Sequence, residues 1–108
     1  MIHGGAMHLI QILLPLYDNE GNPFTQDEFL KVRDELSERF GGITTYMRSP
    51  ARGLWKETKD TTVQDDIVIY EVMTKELDRA WWREYRQRLT ADFRQALLII
   101  RASAVELI

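Results

Sequence analysis

The chain has 108 residues, 44% hydrophobic and 29% charged, with a formal net charge of −3. That length and balance suit one globular domain with a modest core, and exclude a disordered or membrane-embedded chain. The negative sign argues against generic nucleic-acid binding, which releases counterions from phosphates. The absence of cysteine excludes disulfides, thiolate nucleophiles and zinc–sulfur sites, and fits a cytoplasmic protein.

Residues 1–6 (Met-Ile-His-Gly-Gly-Ala) lack the charged head and apolar body of a secretory leader, and no run approaches the roughly 20 apolar residues of a membrane span. They read as a flexible tail, with Met7 as an alternative start and residues 7–108 as the domain. From His8 to Leu14 an almost continuous apolar run predicts a central strand, ended at Pro15, which cannot donate to a ladder. Asp-Asn-Glu-Gly-Asn-Pro (18–23) is a turn. Thr25-Gln-Asp-Glu28 has the spacing of a capping box, and Phe24 and Phe29 that of a hydrophobic staple. Phe29, Val32, Leu36 and Phe40 then recur on one helical face, stopped by Gly41-Gly42.

Ile43 to Met47 predicts a second strand, and Ile67 to Met73 a third. The polar stretch between them, broken by Pro50 and Gly53 and containing Trp55, predicts a long hairpin connection. A second helix is expected from about Leu77 to Phe93. Trp82, Tyr85, Leu89 and Phe93 form its core face, Trp81 its flank, and Arg79, Arg83, Glu84, Arg86 and Arg88 its wet side. Leu97 to Ala102 predicts a fourth strand, and alternation near Val105 and Leu107 suggests a short fifth strand or an extension.

The order βαββαβ, with right-handed crossovers, places both helices on one face of an antiparallel sheet with strand order four, one, three, two. This is the ferredoxin-like α+β fold. Side chains alternate across a strand, so the all-apolar sets should face the helices and the mixed sets the open face. The open face then carries Leu9, Leu13, Ile67, Ile69, Leu97 and Ile99. So apolar a surface calls for a cover, and a second copy in a homodimer or larger even assembly is the simplest one. Among those aliphatics the same parity places Gln11, Glu71 and Arg101, with Glu71 and Arg101 meeting near the beginning of strand one. They are either a polar bridge within a dimer interface or the floor of a small-molecule pocket completed by Tyr46, Arg48 and Trp55.

The chain resembles the dimeric α/β-barrel superfamily, whose subunits stack their open sheet faces. Within it, Phe40-Gly41-Gly42-Ile43-Thr44, Gly53-Leu54-Trp55 and Tyr85 through Phe93-Arg94-Gln95 are similar to a family of small bacterial proteins with no assigned activity. The resemblance implies self-association, and it covers small monooxygenases, lactone isomerases and haem enzymes as well as proteins without known chemistry.

His3 falls in the tail and His8 at the start of the first strand, where it reads as an edge cap. Asp65-Asp66 reads as a solvated turn. No ligand spacing for a metal, phosphate loop or nucleophile elbow is present, and no cofactor is implied. A cofactor-free enzyme of monooxygenase or isomerase type, acting on a small aromatic or carboxylate substrate with Glu71 as the proton-transfer group, is the alternative to a self-associating binding module. RNA binding on the open sheet is the weakest class. It requires aromatics on the central strands and a basic surround, and here the strands are aliphatic and the chain acidic.

Overall fold

The computed structural model describes residues 6–48 and 67–108, with backbone alone at Met47 and Arg48. The expected connection through Trp55 and the first five residues lie outside the described residues.

The elements run β1 (Ala6–Pro15), α1 (Gln26–Phe40), β2 (Thr44–Arg48), β3 (Ile67–Thr74), α2 (Arg79–Asp92) and β4 (Ile99–Glu106). They form one antiparallel sheet in the order β2-β3-β1-β4, the ferredoxin-like arrangement. The central strand opens at Ala6, inside the segment read as tail, because Ala6 pairs with Glu106 at the far end of β4. That same pairing makes residues 99 to 106 one long strand. The low strand propensity of Ala102-Ser-Ala104 is overridden by the ladder, and Leu97 lies ahead of the strand rather than within it.

Helix α1 starts as its staple requires and not as its capping box does. Phe24 and Phe29 meet edge to face at 6.4 Å. Thr25 holds the N-cap position with no side-chain hydrogen bond, and Glu28 Oε2 is buried without a partner among the described residues. Gly41 ends the helix with φ of 83°, a conformation that costs glycine nothing. Before the helix, Asp18 Oδ1 accepts from the backbone N–H of Glu20 and of Asn22, both at 2.8 Å. The Asn22 N–H chiefly holds the Asp18 carboxyl below its ordinary range. Helix α2 is capped by Asp78, whose Oδ1 accepts from Trp81 N–H at 3.1 Å. It ends at Asp92 with Phe93 as its C-cap, and the next residue, Arg94, adopts a left-handed φ of 49° without being glycine.

The core lies between the helices and one sheet face. Ile10, Ile12 and Leu14 of β1, and Val68, Tyr70 and Val72 of β3, meet Val32 and Leu36 of α1 and Trp82, Tyr85 and Leu89 of α2. An aromatic chain ties the two helices together. Phe40 stacks on Trp82 at 5.3 Å, and Trp81 stacks on Tyr85 at 4.9 Å. Trp82 is buried and Trp81 half-buried, as their positions on the helix predict. The Tyr85 hydroxyl donates to Glu35 Oε1 at 3.0 Å, and Arg88 pairs with the same carboxylate. Burial first, then the Glu35 charge, pushes the Tyr85 phenol well above its usual range. No helix among the described residues is long and apolar enough to cross a membrane.

Candidate functional site on the open sheet face

Gln11 sits in the middle of β1, with Glu71 of β3 opposite it on one side and Arg101 of β4 on the other. One register row therefore carries three polar side chains on the same face. Gln11 Nε2 donates to Glu71 Oε2 at 2.5 Å, and Arg101 Nε donates to Gln11 Oε1 at 2.7 Å. The amide spends its donor on the carboxylate and its acceptor on the guanidinium, so the neighbouring charges fix its orientation. Glu71 and Arg101 do not meet directly. The bridge lies at mid-strand, not near the beginning of strand one, because the long β4 pairs across the whole of β1 and brings Arg101 opposite Gln11.

Apolar rows flank the bridge. Leu13 lies between Ile69 and Ile99 on one side, and Leu9 between Met73 and Ser103 on the other. Ile69 is buried, Leu9, Leu13 and Ile67 are half-buried, and Ile99 is 46% exposed. Leu97, expected in the same patch, is 70% exposed ahead of β4. An ordinary solvent face of an antiparallel sheet would be polar at these positions.

Glu71 also borders a shallow cleft of about 370 Å³. Its other walls are Leu9 and Met73, the Gly41-Gly42 turn, and Thr44, which pairs with Glu71 in the register. Tyr46 pairs with Ile69, one row removed, and is not part of this cleft. Arg48 pairs through its backbone with Ile67, two rows removed, and Trp55 lies outside the described residues. Of the six side chains predicted for a pocket, Gln11, Glu71 and Arg101 are brought together. Thr44 and the glycine turn were missed, because their approach depends on where α1 delivers β2. Among the described residues no group of three His, Asp or Glu side chains is placed to hold a metal ion.

No protein-family model and no curated protein sequence matches the chain. Among solved structures, a phage SAM lyase in complex with S-methyl-5'-thioadenosine superposes with a TM-score of 0.53 and 15% identity. The match covers 99% of this chain and 92% of that one, so the likeness spans the whole domain, and at that identity it establishes a shared fold alone.

Proposed function

We propose that the chain is a self-associating domain whose open sheet face, covered by a second copy in a homodimer or larger even assembly, holds a small organic molecule beside Glu71. The observation that carries this reading is the Glu71–Gln11–Arg101 bridge set among aliphatic rows. A polar network of this kind gains strength and directional selectivity once water is excluded. The apolar rows supply the reason for a cover, and stacking of open faces is the arrangement of the dimeric α/β-barrel superfamily. The cysteine-free composition suits the cytoplasm.

A cofactor-free enzyme is the second reading, favoured by the likeness to a lyase bound to a small molecule. Glu71 would serve it, because Oε2 is held by Gln11 while Oε1 makes no hydrogen bond among the described residues. That oxygen is available to take a proton or face a positive charge.

Light scattering at micromolar concentration is expected to give an even multiple of the 12.7 kDa chain. Thermal-shift titration with small carboxylates, phenols and S-methyl-5'-thioadenosine should yield stabilising ligands. Their effect should vanish in the Glu71→Gln, Arg101→Met double variant. A monomer that no ligand stabilises refutes the proposal. Consumption of a stabilising ligand, detected by mass spectrometry and lost in Glu71→Gln, selects the enzyme reading.

A further inference from the structure

A second candidate site lies on the opposite, helix-bearing side of the sheet. Arg79, Arg83 and Arg86 follow one another on α2 at spacings of four and three, which sets them in a single stripe along the helix. The stripe borders a cleft of about 550 Å³ between α2 and the last part of β4. The cleft exists because the sheet positions beneath it carry alanine. Ala102 and Ala104 are the β4 partners of Ile10 and His8, and a side chain ending at Cβ leaves the gap unfilled. Trp82, buried in the core, supplies an apolar wall.

No carboxylate among the described residues lines this space. Among the described residues Arg79, Arg83 and Arg86 make no ion pair, whereas Arg33, Arg39, Arg88 and Arg94 each approach a carboxylate. Three guanidiniums without an ion pair among the described residues thus lie together on a chain whose net charge is −3. Like charges one helical turn apart repel, so an uncompensated row is unfavourable until an anion meets it. His8 also borders the cleft, with its Nδ1 closed to solvent.

We propose that this cleft binds a small organic anion bearing two or more negative charges, as phosphate or carboxylate, with its apolar part against Trp82 and the two alanines. Guanidinium forks match both oxyanions. The volume falls within the roughly 300–1,000 Å³ of small-molecule pockets. A long polyanion is disfavoured. The stripe from Arg79 to Arg86 rises only about 10 Å, and the overall charge repels a nucleic acid beyond it.

The test is calorimetric titration of the full chain with pyrophosphate, with citrate and with a single-stranded oligonucleotide, at about 0.15 M salt. Saturable binding of pyrophosphate or citrate at one molecule per chain is expected, and the tighter of the two assigns the oxyanion. Arg83→Gln and Arg86→Gln should each weaken it by about tenfold or more, the loss that follows from one charge-assisted hydrogen bond. Arg33→Gln on α1, which is not among the cleft's lining residues, should leave it unchanged. Absence of saturable binding, or equal binding by all variants, overturns the proposal. Tighter binding of the oligonucleotide than of either small anion overturns the small-molecule assignment.

Discussion

Replacing Arg101 by methionine distinguishes a wet sheet face from a covered one. The variant keeps most of the apolar stem and removes the guanidinium that donates to Gln11. Glu71 then holds its negative charge with the Gln11 amide as its one remaining hydrogen-bond partner among the described residues. If the face is in water, the loss is that of an exposed charged contact, about 0.2–1 kcal/mol. If a second copy covers the face, a buried carboxylate has lost its counter-charge, and the loss is about 3–5 kcal/mol. For a domain of this size 1 kcal/mol moves the melting temperature by roughly 4 °C, so the two cases differ by about 10 °C. The assay is thermal unfolding of wild type and variant at two protein concentrations, one above and one below the association range found by light scattering. Self-association predicts the large loss at the high concentration and the small one at the low. Adding Glu71→Gln should then restore much of the loss, because the orphaned charge is gone. A loss under about 1 kcal/mol at both concentrations refutes the covered face. A large loss in a chain shown to be monomeric refutes the second copy as its cover.

Trp82→Ala should cost about 3–5 kcal/mol in urea denaturation. Trp81→Ala should cost clearly less, since that ring is half-buried over Tyr85 and under the Arg39 guanidinium at 4.1 Å; the reverse ranking would contradict the packing of α2. Thr25→Ala should shift stability by no more than about 0.5 kcal/mol, since its hydroxyl caps nothing. Asp78→Ala should cost about 1 kcal/mol through the lost bond to Trp81 N–H. Tyr85 has a raised folded pKa, so the stability it contributes is fully present below its ordinary value of 10.0 and is lost as pH rises through the folded value. Stability should therefore fall in alkali above pH 10.0, and Tyr85→Phe should flatten that fall. An identical alkaline profile in the variant would assign the fall to other groups.

The features legible in the sequence depend on periodicity. Alternation along β1, β3 and β4 sorts core from open face, and βαββαβ order sets their neighbours, so Gln11, Glu71 and Arg101 share one face; the single mid-strand row they occupy is set by the register, which the sequence does not reveal. The features missed depend on side-chain rotamers or on distant partners. Thr25 and Glu28 have capping-box spacing, yet both leave the reciprocal bonds unmade, while Phe24, held by Phe29, by Phe93 and by its N–H bond to Leu16 O, fixes the helix entry. The strand from Ile99 continues through Ala102-Ser-Ala104 because β1 supplies the ladder, which no local propensity reveals.

The arginines of α2 expose the same limit at the level of a site. Periodicity places Arg79, Arg83 and Arg86 off the core face, and a helical wheel assigns every such residue to solvent. Whether the neighbouring space is open water or a walled cleft is decided by a strand some twenty residues later in the chain. There Ile100 maintains the core while Ala102 and Ala104 withdraw from it. Had either alanine been a valine, the same three arginines would line a shallower groove. The chemistry of the cleft thus belongs to pairs of residues that no window along the chain contains. Ala104→Val follows as a variant that narrows the cleft without touching its charges. It should weaken pyrophosphate binding while leaving the melting temperature within a few degrees of wild type, since a one-step enlargement facing a cavity strains little. Undiminished binding in that variant would place the anion on the outer ends of the arginines, outside the cleft.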